Sequence, residues 1–333
     1  MEEKQKIVVC ATSFFDVLLT NPTKTGEAAR RLQTAAEAGG FEVEYRCDRN
    51  PLHPMGPEEL ESVIAVIADL ETYDKELLSQ VGKAAGGSLE LISRYGTGFS
   101  SIDIDAAKEF GVIVTNTPGV NALPVAEWAL GTMIDVGGRR LLHHQRASSG
   151  KRKTGPSRID LSGKKIGIIG TGVSGKCLVS LLSSFHTDIC AYEPNPDKMW
   201  AQANSVRYVE LEELCEVSDF ISLHASAPYE IIGKRELSLM KPTTVLVNCA
   251  RSILVDNRAV WEAVRDGRLW GYGIDEVWEQ DDLPLEELNI IASPHVGSDT
   301  DGGKLGMQLG STRAVIDYIE GRRPEHCVSC NAI

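Results

Sequence analysis

The run Lys165–Ile169, followed by Gly170-Thr171-Gly172-Val173-Ser174-Gly175, constrains this chain more than any other segment. An apolar strand pattern leads into G-x-G-x-x-G, and a helical pattern over Ser174–Ser184 follows it. In that context each glycine has a task. Gly170 permits the tight turn, Gly172 lets backbone approach a pyrophosphate, and Gly175 lets the helix pack close on the strand. A pyrophosphate would then meet free N–H groups and the positive dipole end at the helix N-terminus. The next expected strand, Asp188–Tyr192, ends on Glu193, 18 residues beyond Gly175. A carboxylate there can accept both ribose hydroxyls and would repel a 2′-phosphate, which favours NAD over NADP. A lone G-x-G-x-x-G says little, whereas strand, turn, helix, strand and acid in order predict a dinucleotide-binding unit.

The remainder of the chain follows the same alternation. Expected strands are Ile7–Ala11, Glu42–Arg46, Val63–Ala68, Leu89–Ser93 and Val112–Thr115, then Phe220–Leu223, Thr244–Asn248, Gly271–Ile274 and Ile290–Ala292. Helical patterns fall at Lys24–Ala38, Asp74–Lys83, Ile102–Phe110, Ala122–Gly137, Leu211–Val217, Arg258–Asp266 and Gly303–Glu320. Strands alternating with helices predict βαβ units and parallel sheets. A length of 333 residues suits two domains. A strong break, Asn116-Thr117-Pro118-Gly119, precedes the long Ala122 helix, and a polar stretch from His143 to Arg158 precedes the second series.

Composition removes several classes of function. Hydrophobic residues make up 42% of the chain and charged residues 24%, which is ordinary for a globular protein. The longest apolar run has six residues, Val63–Ala68, against the ~20 a bilayer needs. A net charge of −13 argues against a nucleic-acid or anionic-membrane binder, and the short basic run Lys151-Arg152-Lys153 reads as a solvated loop. The acidic start, Met1-Glu2-Glu3, does not make a signal peptide. Of eight cysteines only Cys327 and Cys330 form a CxxC, half a zinc site at best, so no metal is expected and a reducing cytoplasm suits the rest.

Further motifs point to one family. Arg94-Tyr95-Gly96-Thr97-Gly98 with Ile102-Asp103 and Ala106-Ala107 comes first, then Asn116-Thr117-Pro118-Gly119-Val120-Asn121 with Val125-Ala126-Glu127. Ser218-Asp219, Leu223-His224, Met240-Lys241-Pro242, Asn248-Cys249-Ala250-Arg251, Ile274-Asp275 and Pro294-His295-Val296-Gly297 follow in unbroken order. Together they resemble the D-isomer-specific 2-hydroxyacid dehydrogenases, of the phosphoglycerate dehydrogenase and hydroxypyruvate reductase kind. The resemblance implies hydride transfer between NAD and C2 of a small D-2-hydroxy or 2-oxo acid.

That chemistry asks for three groups. A cation must hold the substrate carboxylate and polarise its carbonyl, which suits the planar fork of an arginine. An acid–base group near neutral pH must handle the hydroxyl proton, which suits histidine. A carboxylate beside it would orient the ring and favour imidazolium. The family resemblance puts Arg251 and His295 in the first two roles. For the third, the family acid lies five residues past the landmark Asp275, where this chain has Gln280. One inserted residue would bring Asp281 into that place, and the cost of burying Glu276 favours this register. Asp281 is therefore the expected partner, with Gln280 and Glu279 as alternatives.

By the same resemblance the backbone N–H groups of Thr97 and Gly98 meet the substrate carboxylate. Val173 and Ser174 face the pyrophosphate, and Cys249 and Asp275 the nicotinamide end. Pro124 and Ser252 depart from the family's usual Ser and Gly. The expected architecture is α/β, with two doubly wound parallel-sheet domains. A Rossmann NAD domain spans 118–298, and a discontinuous, flavodoxin-like substrate domain takes 1–117 and 299–333. No segment is left for a separate regulatory domain. The apolar Ala122–Gly137 helix would build a two-fold homodimer. Two rivals stand beside this reading: a non-catalytic NAD(H)-sensing protein on the same fold, and a formate dehydrogenase-like enzyme.

Overall fold

The computed structural model describes residues 4–15, 26–50, 52–152, 157–278 and 283–330. In chain order these begin with β1 (Lys6–Val9), α1 (Glu27–Gly39), β2 (Glu42–Tyr45), β3 (Val63–Ala68), α2 (Lys75–Val81), β4 (Leu91–Arg94), α3 (Ile104–Glu109) and β5 (Ile113–Thr115). Next come α4 (Ala122–Gly137), α5 (Arg140–Ser148), β6 (Lys165–Ile169), α6 (Val173–Leu182), β7 (Asp188–Tyr192), α7 (Lys198–Ala203) and β8 (Val206–Tyr208). The series ends with α8 (Leu211–Val217), β9 (Phe220–Leu223), α9 (Lys234–Leu239), β10 (Val245–Asn248), α10 (Asn257–Arg265), β11 (Gly271–Ile274), β12 (Ile290–Ala292) and α11 (Asp301–Ile319).

These elements form two compact units, Met1–Asn121 with Thr300–Ile333, and Ala122–Asp299. The first holds a parallel sheet ordered β2-β1-β3-β4-β5. All six residues of β3 are buried, because helices cover both faces of the sheet. Ile7, Val9, Ile67 and Leu91 pack with Leu32 of α1 and Val315 of α11. On the other face Val8, Val66, Ile92 and Val114 pack with Leu77 and Leu78 of α2 and Ala106 and Ala107 of α3. The period-2 alternation along β1 is what sends neighbouring residues to opposite cores.

The second unit holds a seven-stranded parallel sheet ordered β12-β11-β10-β9-β6-β7-β8. Strand order reverses between β6 and β9, which opens a crevice at their C-terminal ends. Helices α4 and α6 pack on one face through Ala126, Met133, Val136, Leu178 and Leu182. Leu214, Val260 and Val264 belong to the opposite core. The glycines of β11 admit α4 closely: a Cβ on Gly273 would stand 2.1 Å from Thr132 Cγ2.

The two doubly wound sheets agree with the architecture expected from the alternation. Several elements were not anticipated. The polar stretch after α4 begins as a helix, α5, none of whose residues is buried. The short helices α7 and α9 and the three-residue edge strand β8 also went unforeseen, and β4 runs two residues later at its start than Leu89. Among the described residues no helix is long and apolar enough to cross a membrane.

Candidate active site

The Gly-rich turn sits at the crevice between β6 and β9. Gly170 adopts a left-handed backbone with φ of 93°. A Cβ there would lie 2.7 Å from Ala225 N and 2.8 Å from the His224 carbonyl carbon, so the turn is wedged against the end of β9. A Cβ on Gly175 would stand 2.2 Å from Gly170 O, whereas nothing lies within 4 Å of a Cβ on Gly172. Asp74, Asp103, Asp197, Asp256 and Thr300 cap α2, α3, α7, α10 and α11 with their side chains. Helix α6 starts at Gly172 without one. Its first-turn N–H groups, from Val173 and Ser174 onward, lack intrahelical acceptors and face open space, which fits a pyrophosphate.

Glu193 follows β7 and is tied to this turn. Its Oε2 accepts from Thr171 N at 2.9 Å and its Oε1 from Asn195 N at 3.2 Å. Thr171 Oγ1 is in turn 2.8 Å from Tyr208 Oη on the edge strand β8. A carboxylate is thereby held rigidly beside the phosphate cradle.

A second cluster forms at the C-terminal ends of three neighbouring strands. Arg251 follows β10. Its carbonyl accepts from Asn248 Nδ2 at 2.8 Å, Asn248 Oδ1 accepts from Ala250 N at 3.0 Å, and the exposed side chain donates through Nη1 to Ala250 O at 2.7 Å. Arg251 makes no ion pair among the described residues. Asp275 and Glu276 follow β11 and serve different neighbours. Asp275 is buried, and both its oxygens are taken by the turn after β12. Oδ1 accepts from Ser293 Oγ at 2.6 Å and Val296 N at 2.8 Å, and Oδ2 accepts from Gly297 N at 2.6 Å. That turn carries His295 in a left-handed conformation, φ 58°, which is uncommon for a residue with a Cβ and marks a constrained position.

Glu276 closes the cluster. Its Oε1 lies 3.7 Å from His295 Nδ1, and its Oε2 accepts the Ser252 N–H next to Arg251. One carboxylate thus links the arginine's loop to the imidazole. Sequence reasoning passed over Glu276 because an acid beside a strand end looked costly to bury. The structure meets that cost with the Ser252 N–H and leaves the side chain 26% exposed. Asp281, Gln280 and Glu279, the residues expected in this role, lie outside the described residues. Among the described residues no group of three or more His, Cys, Asp or Glu could hold a metal.

A family model described as "D-isomer specific 2-hydroxyacid dehydrogenase, NAD binding domain" matches residues 130–297. The glyoxylate reductase of Thermococcus litoralis is 32% identical over 286 residues, 81% of this chain and 84% of that protein. The D-3-phosphoglycerate dehydrogenase of Methanocaldococcus jannaschii is 36% identical over 252 residues, which is 72% of this chain and 48% of that longer protein. The chain belongs to the D-isomer-specific 2-hydroxyacid dehydrogenase family. The dehydrogenase also superposes on the TT0316 protein from Thermus thermophilus, with a TM-score of 0.79 and 28% identity, covering 97% of this chain and 100% of that one. Membership makes it an NAD-dependent oxidoreductase that moves a hydride between nicotinamide and C2 of a D-2-hydroxy or 2-oxo acid. The NAD-sensing and formate-oxidising alternatives are not favoured.

Sequence reasoning also missed a half-buried side-chain network beside the crevice of the dehydrogenase's second sheet. His224 Nε2 is 3.0 Å from Ser222 Oγ and its Nδ1 is 3.2 Å from Ser174 Oγ on α6. Cys249 donates its thiol to Leu223 O at 3.1 Å and touches His224 Nδ1 at 3.3 Å. Burial pushes the His224 imidazole down to about 4 and the Cys249 thiol up to about 12, so both stay neutral at pH 7. A histidine buried neutral opposes acid. The unfolded chain takes up its proton near 6.5, the folded chain only near 4, so stability is present above the first value and declines through that window. Between pH 7 and 4.5 this group alone should remove roughly 2–3 kcal/mol, read as a lower urea midpoint that His224→Gln flattens.

Proposed function

We propose that Arg251, Glu276 and His295 carry out the reaction on a small 2-oxo acid, with Glu276 as the positioning carboxylate. The observation that supports this most is the link Ser252 N–H to Glu276 to His295, across the ends of β10, β11 and β12. The exposed Arg251 guanidinium binds the substrate carboxylate through two parallel N–H bonds and polarises the C2 carbonyl. Thr97 and Gly98, in the first unit, offer backbone N–H groups to a substrate carboxylate. His295 gives a proton to the C2 oxygen during reduction and takes it back during oxidation. Glu276 holds the imidazole in one orientation and balances its charge when protonated. Asp275 fixes the turn that bears His295. The first-turn N–H groups at Val173 and Ser174 hold the pyrophosphate, and Gly170, Gly172 and Gly175 shape that cradle. Glu193 takes the adenosine ribose, and Cys249 borders the nicotinamide, which supplies or receives the hydride when bound.

The substrate unit is Met1–Asn121 with Thr300–Ile333, and Ala122–Asp299 is the NAD unit. A second copy of the chain covers α4 and α5, where Leu123, Ile134 and Leu141 are 48%, 37% and 40% exposed. Light scattering should give twice the mass of one chain, and Ile134→Asp should halve it. The acidic, sparsely cysteine-bonded chain suits the cytoplasm.

NADH oxidation with glyoxylate, hydroxypyruvate and pyruvate tests the reading. Turnover with at least one of them is expected, and no NADH should form from formate. Glu276→Gln should lower kcat by roughly 10–100-fold with NADH affinity intact, while Asp281→Asn stays within about twofold. Tight NADH binding without turnover of any oxo acid would remove the enzymatic assignment. The opposite ranking of the two variants would return the positioning role to Asp281.

A further inference from the structure

The tail beyond α11 returns to the first sheet and closes its edge. Val328 N–H donates to Val114 O at 2.8 Å, and Val114 N–H donates to Ser329 Oγ at 2.7 Å. Thr115 bridges Cys327 in antiparallel fashion, and Asn116 N–H donates to His326 O at 3.3 Å. The edge strand is thereby given a partner at Val114 and Thr115. Within this tail the sulfurs of Cys327 and Cys330 are bonded to each other, with Cα atoms 5.5 Å apart. The other six cysteines are free, and Cys10 and Cys215 are fully buried. Cys327 and Cys330 by contrast are half-buried, within reach of solvent.

The geometry points to a reversible dithiol–disulfide site at Cys327 and Cys330 that locks the turn by which the tail pairs with β5. Cys330 N–H donates to Cys327 Sγ at 3.0 Å, a contact that favours negative charge on that sulfur and makes Cys327 the attacking thiolate. The oxidant is a low-molecular-weight disulfide of the glutathione class. Cys327 Sγ bonds to one sulfur of that disulfide and expels the other as a thiolate. Cys330, after losing its proton to water, attacks Cys327 Sγ and expels the second thiolate. Two protein thiols are oxidised and one disulfide is reduced to two thiols.

The clasp reaches a loop that matters to the enzyme. Asn116, whose N–H is held by the tail, donates through Nδ2 to Thr97 O at 2.8 Å. Thr97 Oγ1 also contacts Thr117 O at 3.1 Å and Asn121 Oδ1 at 3.0 Å. Opening the disulfide relaxes the Cys327–Cys330 turn, weakens the pairing of Val328 and Ser329 with Val114, and through His326 O loosens Asn116 and with it the Thr97-Gly98 backbone. This last link rests on the substrate role proposed above for Thr97 and Gly98.

The test equilibrates the full chain in buffers of graded reduced to oxidised glutathione, alkylates it and weighs the peptide holding both cysteines. Both should lose alkylation together in one two-electron step, reversed by dithiothreitol. Full alkylation in the most oxidising buffer, or a bridge that survives excess dithiothreitol, would overturn the site. Amide exchange at Val114 and Asn116 should rise about tenfold on reduction and in Cys330→Ser, with Val8 and Val66 unchanged. Unaltered exchange at Val114 and Asn116 overturns the clasp. Reduction should also raise KM for the oxo acid about threefold with kcat steady, since loosening a binding loop weakens ground and transition states alike. An unaltered KM overturns the coupling to Thr97. A chain that reduces no oxo acid overturns the functional reading, and the alkylation and exchange results still decide the clasp.

Discussion

Replacing His295 by Gln should lower kcat for oxo-acid reduction by about a thousandfold and leave NADH affinity within about twofold. Gln keeps a polar side chain on the turn that Asp275 holds, but it cannot deliver a proton to the C2 oxygen. The turn itself is fixed through backbone N–H groups of Val296 and Gly297, which the substitution leaves untouched. Fluorescence titration with NADH separates a binding loss from a chemical one. A variant that retains more than about a tenth of the wild-type kcat would show that another group moves the proton.

Gly170→Ala should damage both the fold of the second unit and its cofactor cradle. Two costs coincide there: a left-handed backbone that a Cβ disfavours, and a new carbon 2.7 Å from the Ala225 nitrogen. A loss of about 3 kcal/mol in denaturant unfolding is expected, together with a loss of NADH affinity of about thirtyfold or more. Gly172→Ala supplies the contrast. With φ of −66° and nothing within 4 Å of the added carbon, stability should hold within about 0.5 kcal/mol. In the proposed cradle the methyl would stand where a pyrophosphate approaches the helix, so affinity should still fall by about tenfold. Gly172→Ala binding NADH like the wild type would refute the cradle.

Much of the fold is legible in the sequence, for a physical reason. Strands of a parallel sheet covered on both faces are continuous apolar runs, so Val63–Ala68, Lys165–Ile169 and Phe220–Leu223 were read with their observed limits. Elements with little core contact carried no such signal. Helix α5 buries none of its residues, and β8 buries only Val206, so neither had a periodic face to detect. In the candidate site, Arg251 and His295 were visible because their motifs fix them to strand ends. The contact of Glu276 with His295 is not, because the burial cost of that acid is judged without the Ser252 N–H that offsets it. The His224–Cys249–Ser174 network was likewise invisible, since its members lie 25 and 50 positions apart from His224.

The return of α11 to the first sheet has a consequence for how the chain is made. Val315 completes a core whose other members, Ile7, Val9, Ile67 and Leu91, leave the ribosome first. About 180 residues of the second unit separate them from their partner. At a synthesis rate of about 5–20 residues per second, that face of the first sheet has only α1 to cover it for roughly 10–35 s. The second unit, contiguous in the chain, can close during that interval. Birth order and folding order are therefore reversed, and the nascent N-terminal sheet is the part that most needs shielding from aggregation and proteolysis.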